Sequence, residues 1–484
     1  MTDVLALSGT EQARLIRNGE VSSTELVEAH LSRIEQLNPC LNAVVEVLAK
    51  SARKTADSVD WQLAQGIKLG PLAGVPFSIK DSIEVAGTVC TAGTLGLKSA
   101  PPSKRDATLV ARLRAAGAIP IARTNLPDLL FAFESDNLIY GRTNNPYDLS
   151  RTSGGSSGGE AALIAACGSP FGLGSDAAGS IRLPAHFCGI AGIKPSSGRL
   201  SRTGHVPPAG GWIETLWQIG PLARRVEDLC PLMPLLAKPD GLDRTVVAMP
   251  SGDPAAVRLG DLRIAFFTDN GIVPADPETI AVVQQAAAAL ANQVQAMDER
   301  RPPGIEESYE HEMRLIGPDG GDGLRAFLDS VGSTRTHPLL DGWLAKLESY
   351  RTDLAGFAQY WADLDRFRAR MLAFLENYDA ILSPVCAHAA LPHGTSIDEG
   401  TFQGFSYTMT YNLTGWPAAV VRCGQTASGL PIGMQVAAHP WREDVALRIA
   451  GRLEELFGGW QPSPHITVAS DHAGSIPVHG RILG

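Results

Sequence analysis

The sequence predicts an α/β protein built on a largely parallel or mixed β-sheet. Short apolar segments of strand length alternate with segments of helical period, and this alternation is typical of βαβ units. Of the 484 residues, 44% are hydrophobic, so the chain can bury a large core. We find no internal repeat and no linker of the length that separates domains. We therefore expect one domain over residues 1–484.

The predicted elements follow from periodicity and capping residues. Apolar residues at helical spacing predict a helix over 22–37, where Ser22 and Glu25 fit a capping box. A helix over 106–118 is expected to use Asp106 as its N-cap. The remaining predicted elements are, in chain order, the strand that ends at Lys80, a strand over 119–122, a helix over 160–167, strands over 171–175 and 262–267, helices over 276–297 and 354–377, strands over 381–385, 417–421 and 433–437, and a helix over 442–457.

Composition and charge exclude several classes of protein. The net charge of −10 gives no basic face for a nucleic acid. Seven scattered cysteines without a CxxC pair predict neither a disulfide framework nor a zinc site, and they favour a reducing compartment. We expect no signal peptide, because no basic region followed by an apolar stretch is evident near residue 1, and no transmembrane helix, because no apolar run reaches the required length. We expect a cytoplasmic protein that needs no metal and no cofactor.

Three short segments bring together residues suited to acyl transfer. Lys80 ends an apolar run, Ser156 lies in a glycine-rich turn, and Ser180 lies in a second turn 24 residues later. One lysine and two serines in such positions are the parts of an acyl-transfer site that uses no histidine. The segments are GVPFSIKDS at 74–82, GGSSGG at 154–159 and GSDAAGSIR at 174–182.

Two other interpretations of the turn at Ser156 fit its surroundings less well. GGSSG matches the GxSxG nucleophile elbow, but that elbow follows an apolar strand and the residues before it here are polar. A glycine-rich loop before a helix can also hold phosphate, but no Lys-Ser/Thr pair follows it. A relay role remains, because a serine hydroxyl can donate and accept a hydrogen bond at once.

The chain resembles the amidase signature family, most of all its fatty-acid amide hydrolase-like and aryl acylamidase-like members. The resemblance implies one α/β domain with a mixed central sheet and helices on both faces. It also implies a Ser–Ser–Lys triad in which Ser180 is the nucleophile, Ser156 the bridging serine and Lys80 the base. The motifs that carry the resemblance are GRTNNPYDLSRTSGGSSGGEAALIAA at 141–166, GSDAAGSIRLPAHFCGIAGIKP at 174–195, YDAILSPV at 378–385 and YNLTGWPAAVVRCGQTASGLPIGMQV at 411–436.

The resemblance also divides the domain into functional parts. We expect an N-terminal helical segment over 1–60 and the catalytic core over 70–235. Residues 299–345 are polar and glycine-rich and lie outside the motifs, so we expect a loop-rich segment that acts as a lid over the site.

The turn of Ser180 is predicted to form an oxyanion hole, because its small residues let several N–H groups face one point. The predicted donors are the backbone N–H groups of Ala177, Ala178, Gly179 and Ser180. We expect three further side chains to support the loops: Ser157, Asp176 and Arg182.

Two positions depart from the family pattern. Ser153 replaces the usual proline, and Ala178 replaces a glycine. The second change is harmless only if residue 178 has a negative φ, because alanine resists positive φ.

A lysine base must be neutral, and free lysine titrates near ~10.4. We expect burial of Lys80 to lower its pKa, with Asp81 pointing to the opposite face of the strand.

The predicted activity is hydrolysis of a carboxylic amide, with esters and carbamates as further candidates. No charged recognition cluster is evident, so we expect a small uncharged or apolar substrate. Two alternatives stay open: the glutamine-hydrolysing A subunit of a tRNA-dependent amidotransferase, and a non-catalytic binding protein on an amidase scaffold. The oligomeric state is also open, a homodimer included. Several aromatic residues are candidates for the pocket wall: Phe131, Phe133, Trp212, Trp217, Phe405, Tyr407, Tyr411 and Trp416.

Overall fold

A computed structural model describes residues 3–208 and 211–463. Within them the strands are β1 Val44–Val47, β2 Pro76–Lys80, β3 Ile119–Thr124, β4 Asn144–Asn145, β5 Asp148–Thr152, β6 Phe171–Asp176, β7 Ala191–Lys194, β8 Gln218–Ala223, β9 Arg263–Phe266, β10 Ala296–Glu299, β11 Ala380–Pro384, β12 Ala418–Gln425 and β13 Pro431–Ala438. The α-helices are α1 Gly9–Arg17, α2 Ser23–Leu41, α3 Ala49–Ala64, α4 Thr108–Ala115, α5 Gly158–Ala165, α6 Arg182–Phe187, α7 Val226–Leu236, α8 Pro277–Ala291, α9 Ser308–Ile316, α10 Asp322–Ser330, α11 Pro338–Glu348, α12 Leu354–Leu375, α13 Glu399–Phe402, α14 Ser406–Leu413 and α15 Glu443–Phe457.

A large mixed sheet forms the centre of the domain, as the sequence predicts. Eleven of the described strands pair in the order β1-β3-β2-β6-β8-β7-β12-β13-β11-β9-β10, and β4 pairs with β5. β2 runs parallel to both β3 and β6, whereas β6 and β8 are antiparallel. Every residue of β2, β3 and β6 is buried, so helices and loops cover both faces of the sheet there. The fold is a single α/β domain, which confirms the predicted class.

Helix starts show where local chemistry decides the structure. The predicted capping box is present at the start of α2: the Ser22 side chain accepts from the backbone N–H of Glu25, and the Glu25 carboxylate accepts from the backbone N–H of Ser22. The prediction for Asp106 is wrong, because α4 starts at Thr108 without a side-chain cap. Asp106 instead accepts from the backbone N–H of Ala86 and pairs with Arg114, so a tertiary contact takes the carboxylate away from the helix end.

Residues 299–345 are not loop-rich as predicted. They contain α9, α10 and most of α11, and the glycine cluster at 317–323 forms the connection between α9 and α10. Buried leucines and Trp343 hold α11 against the rest of the domain. The glycine-rich composition belongs to the connection between α9 and α10. The helices on either side are short, so their apolar faces are hard to recognise in the sequence.

The N-terminal segment 1–60 is helical over α1, α2 and most of α3, and it also contributes one strand. β1 pairs antiparallel with β3 and forms one edge of the sheet. This segment therefore belongs to the same core as the rest of the domain.

Candidate active site

Lys80 is the last residue of β2, and its side chain is fully buried. Its Nζ atom lies 2.6 Å from Ser156 Oγ and 3.1 Å from Ser175 Oγ. β2 is flanked by β3 and β6, so the lysine emerges at the end of a fully buried part of the sheet. The structure therefore brings together Lys80 and Ser156, which are 76 residues apart.

Ser156 lies in the turn that leads into α5, after a cis peptide bond from Gly155. A Cβ atom at Gly155 would lie 2.5 Å from the carbonyl oxygen of Ala132, so only glycine fits this close approach. The neighbouring Ser157 donates from Oγ to the carbonyl oxygen of Ser175, at 3.2 Å. This contact attaches the turn to β6.

The turn that carries Ser180 is held by one carboxylate. Asp176, at the end of β6, accepts hydrogen bonds from the N–H groups of Gly179 at 2.8 Å and Ile181 at 3.1 Å. It also pairs with the buried guanidinium of Arg182, with Nη2–Oδ1 at 2.9 Å and Nε–Oδ2 at 3.0 Å. The geometry of the turn is thus fixed on both sides of Ser180.

The two residues before Ser180 in the small-residue run have different backbone demands. Gly179 has φ +121°, and a Cβ atom there would lie 2.4 Å from Thr408 Oγ1. Ala178 does not have a positive φ, so the alanine that replaces the family's glycine is accommodated without strain. Its carbonyl accepts from Thr408 Oγ1 at 2.7 Å.

The predicted oxyanion donors are not equivalent. The Gly179 N–H is already donated to Asp176, and Gly179 does not line the cavity described below. Ala177, Ala178 and Ser180 do line it. The hydrogen bond of the Gly179 N–H helps to hold the turn in shape, and the assignment of the oxyanion donors stays a prediction.

Burial lowers the pKa of Lys80 well below its ordinary value, while the carboxylates of Asp176 and Glu160 oppose the shift. Both opposing charges are weakened. Arg182 compensates Asp176, and burial raises the pKa of Glu160 to about 7. The site therefore favours a neutral Lys80.

Asp81, the residue after Lys80, has its own partner. Its Oδ1 accepts from Arg123 Nε at 2.8 Å and from Nη2 at 2.5 Å. Asp81 is thus engaged away from the lysine, as the alternation of side chains along the strand predicts.

Sequence reasoning missed Ser175 and gave no role to His205. His205 Nε2 lies 3.1 Å from Ser175 Oγ and 3.1 Å from Ser82 Oγ. The imidazole ring also packs on Trp217, with ring centroids 4.4 Å apart. Ser175 lies on β6 next to Asp176, within the motif that contains Ser180, so its position in that motif was the available signal.

A cavity of about 130 Å³ opens over these residues. Ser156, Ser175 and Ser180 lie in its wall. Among the described residues, Asp176 is the only charged residue in its wall. His205 also lies in the wall, and its lowered pKa keeps its imidazole neutral. The rest of the wall is apolar and consists of Leu129, Leu130, Phe131, Ala132, Phe133, Ala177, Ala178, Pro207, Pro208, Ile213, Leu216, Trp217, Ile316 and Trp343.

Of the aromatic candidates named from the sequence, Phe131, Phe133 and Trp217 line this cavity. Trp343 was missed because it lies in the segment predicted to be loop-rich. Over the described ranges, no helix is both long and apolar enough to cross a membrane.

Comparison with known proteins defines the class. The amidase family model matches residues 25–447, which is most of the chain. The molecule is therefore a hydrolase of the amide-cleaving class. Human fatty-acid amide hydrolase 2 is 33% identical, over 94% of this chain and 90% of its own length. The chain belongs to the amidase signature family.

Further relatives differ in activity. The A subunit of the glutamyl-tRNA(Gln) amidotransferase of Synechococcus sp. (strain CC9605) is 34% identical, over 91% of this chain and 94% of its own length. Among solved structures, a fatty acid amide hydrolase superposes with a TM-score of 0.85 at 27% identity, covering 94% of this chain and 86% of that one. About a third of the sequence is thus shared with both a fatty-acid amide hydrolase and an amidotransferase subunit.

Proposed function

We propose that this protein hydrolyses the amide of a small apolar or aryl carboxylic acid through an acyl-enzyme on Ser180. The observation that carries the proposal is the 2.6 Å contact between Lys80 Nζ and Ser156 Oγ, because Ser156 lies with Ser180 in the wall of the cavity. A buried lysine that favours its neutral form can serve as a general base.

In the first half-reaction, Ser180 Oγ attacks the carbonyl carbon. Its proton passes to Ser156, and the Ser156 proton passes to Lys80. The tetrahedral intermediate then collapses, the C–N bond breaks, and the proton returns through Ser156 to the leaving nitrogen. Water next attacks the ester of Ser180 and passes its proton through Ser156 to Lys80. The C–O bond to Ser180 then breaks, the proton returns to Ser180 Oγ, and the carboxylic acid is released.

The negative oxygen of the tetrahedral intermediate needs hydrogen-bond donors. The N–H groups of Ala177, Ala178 and Ser180 are our candidates, because Gly179 donates to Asp176. Donors of this kind typically contribute about 3–4 kcal/mol to transition-state stabilisation. Ser157, Asp176 and Arg182 act by holding the two turns in place.

The cavity supports a small apolar acyl group. An engineered protein cavity of about 150 Å³ holds a benzene molecule. The volume of about 130 Å³ here is of the same order, so one aromatic ring or a short aliphatic chain fits. The apolar wall favours such a group over a charged one. Esters and carbamates of the same shape are further candidate substrates, since the same carbonyl chemistry applies.

A second candidate function is glutamine hydrolysis as the A subunit of an amidotransferase, because a relative of that name is 34% identical. Glutamine carries an ammonium and a carboxylate, and a buried charge needs a partner. For the ammonium, the cavity wall contains Asp176, but Arg182 already pairs with it. For the carboxylate, the described part of the wall contains no arginine or lysine. The wall therefore supports the first candidate.

The test is direct. A fluorophosphonate probe should label Ser180, located by mass spectrometry of the peptide that contains it. The purified chain should then cleave aryl and short-chain acyl amides and leave glutamine intact. Labelling on Ser156 would support the elbow hypothesis instead. Glutaminase activity, or co-purification with other subunits, would support the second candidate. A protein that neither labels nor cleaves would be a binding protein on this scaffold.

We also propose a reducing, cytoplasmic compartment. All seven cysteines lie within the described residues and all are free, five of them buried. Free buried cysteines are compatible with a compartment in which thiols stay reduced.

A further inference from the structure

His205 is a buried histidine beside the Lys80–Ser156 contact that no step of the proposed reaction uses. Its Nδ1 lies 3.1 Å from the carbonyl oxygen of Pro207. A carbonyl oxygen only accepts, so Nδ1 carries the hydrogen of the neutral ring. Nε2 is then a hydrogen-bond acceptor that faces the site.

Two hydroxyl groups face this acceptor, and one of them also faces the lysine. Ser82 Oγ and Ser175 Oγ each lie 3.1 Å from His205 Nε2. Ser175 Oγ is also 3.1 Å from Lys80 Nζ. A hydroxyl has one hydrogen, so Ser175 can donate either to His205 or to the lone pair of a neutral Lys80.

We propose that His205 is a positioning residue that takes the hydrogen of Ser175 and so keeps the lone pair of Lys80 free for Ser156. This inference rests on the proposed function, in which neutral Lys80 is the base. When Ser175 donates to His205, its oxygen accepts an N–H of Lys80. The lysine lone pair then points to Ser156 Oγ, 2.6 Å away.

The opposite arrangement would block the base. If Ser175 donated to Lys80, the lone pair would be occupied, and the proton of Ser156 would have no acceptor. His205 selects between two hydrogen-bond directions that are equally possible for Ser175 alone. Its role therefore depends on the acceptor nitrogen and not on a proton that it transfers.

The charged surroundings are consistent with a neutral imidazole. Burial lowers the pKa of His205 to about 3, and the hydrogen bond to the carbonyl oxygen of Pro207 opposes this shift. The positive charge of Arg202, and that of Lys80 while it is protonated, add to the shift. Asp176 and Glu160 are the carboxylates that act on Lys80. His205 thus remains an acceptor over the pH range in which the lysine loses its proton.

The first test replaces the acceptor. His205→Leu should lower kcat about tenfold, the effect of misdirecting one hydrogen bond, with KM within about twofold of wild type. The apparent pKa of the rising limb of kcat/KM should fall, because a hydrogen bond from Ser175 stabilises the neutral lysine. His205→Gln offers a carbonyl oxygen as acceptor and should recover most of the rate. A His205→Leu rate and pH profile equal to wild type would overturn the inference.

The second test is a double-mutant cycle with Ser175→Ala. Without its hydroxyl, Ser175 cannot occupy the lysine lone pair, so the loss of His205 should then matter little. The double variant His205→Leu/Ser175→Ala should match Ser175→Ala and exceed His205→Leu in kcat. Losses that add would mean that His205 only packs the site, and the inference would be wrong.

Ser82→Ala is the matched control. It removes the other hydroxyl on the same nitrogen, which does not reach Lys80, and should leave kcat and the pH profile unchanged. A tenfold loss in this control would show that the contacts of Nε2 are structural. Should His205→Leu fail to fold, the comparison of His205→Gln with Ser82→Ala and Ser175→Ala still decides the question. A wild-type protein without amidase activity or Ser180 labelling would instead refute the proposed function itself.

Discussion

Asp176 and Arg182 form a buried ion pair that encloses the turn of Ser180. Arg182 Nη2 lies 2.9 Å from Asp176 Oδ1, and neither side chain is exposed. The guanidinium also donates to Gln435 Oε1 and to the carbonyl oxygen of Thr408, each at 2.8 Å. The turn is therefore fastened to β13 and α14, which lie more than 220 residues away in the chain.

Arg182→Met should destabilise the protein by about 3–5 kcal/mol, because Asp176 would remain as an unpaired buried charge. Chemical denaturation measures this loss. Arg258→Met is the control, because its side chain is 82% exposed and its ion pair with Asp261 lies at the surface. It should change the free energy of unfolding by less than about 0.5 kcal/mol. Equal losses in the two variants would mean that the buried pair does not hold the turn.

Lys80→Met should lower kcat by about 10²–10⁴-fold, the usual contribution of a general base. Lys80→Arg should do the same, because guanidinium does not lose its proton in the working range. In the wild type, activity should rise with pH, since the neutral lysine is the active form. The rise should occur below the ordinary lysine pKa, because burial lowers the pKa of Lys80.

The control for this prediction is a second buried lysine. Burial lowers the pKa of Lys194 to about 7, so it could also produce a pH-dependent rate. Its Nζ donates to the carbonyl oxygen of Pro195, not to the site serines. Lys194→Met should keep the pH profile of the wild type. If the pH profile changed in Lys194→Met and stayed that of the wild type in Lys80→Arg, Lys80 would not be the base.

Ser180→Ala should abolish hydrolysis and fluorophosphonate labelling while the thermal unfolding curve stays close to that of the wild type. Ser156→Ala should retain a trace of activity, because a water molecule can take the place of the relay hydroxyl. Steady-state rates with an aryl acyl amide, together with mass spectrometry of the stalled enzyme, measure both effects. Acyl groups found on Ser156 would reverse the two assignments.

Much of the site could be predicted because its residues lie in long local motifs. The motifs placed Lys80, Ser156 and Ser180 together, and the structure has the first two in contact. The hydrogen-bond partner of Gly179 could not be predicted, because it depends on the folded geometry of the turn. His205 likewise meets Ser175 only after β8 and its preceding loop pack beside β6.

The fold was predictable where apolar strands have strong local preferences. β8 was missed because it contains Gly220 and Pro221, which normally weaken a strand. A Cβ atom at Gly220 would lie 2.4 Å from the carbonyl oxygen of Ile193. Close packing against the neighbouring chain segment therefore selects glycine there, and tertiary structure overrides the local preference.

Gly179→Ala should lower kcat by about 10²–10³-fold, the cost of displacing the neighbouring candidate oxyanion donors of Ala178 and Ser180. Its φ is +121°, and the added Cβ would lie 2.4 Å from Thr408 Oγ1, so the turn of Ser180 must shift. Gly87→Ala is the control, because Gly87 has φ +84° with nothing within 4 Å. That variant should lose about 1 kcal/mol of stability and no activity. Kinetics and denaturation curves of both variants separate crowding from backbone strain.

Trp343→Ala should change substrate preference without removing the reactivity of Ser180. Trp343 lies on α11, within the segment 299–345, and with Ile316 it forms part of the cavity wall. We therefore propose that the segment 299–345 covers the site as a set of packed helices. Loss of the indole enlarges the cavity, so kcat/KM should rise for bulkier acyl groups relative to small ones. Core truncation of a tryptophan also costs about 3–5 kcal/mol of stability, so assays belong well below the unfolding temperature.

The matched control for this last variant is Trp61→Ala, whose side chain is 61% exposed and lies outside the cavity wall. It should leave both preference and labelling as in the wild type. If labelling of Ser180 by a small fluorophosphonate vanished in folded Trp343→Ala, the segment would belong to the catalytic framework. If the variant kept the wild-type preference, the segment would only cover the protein surface. A shift in preference with labelling intact is the one result that the lid proposal allows, because Lys80, Ser156 and Ser180 lie on other elements.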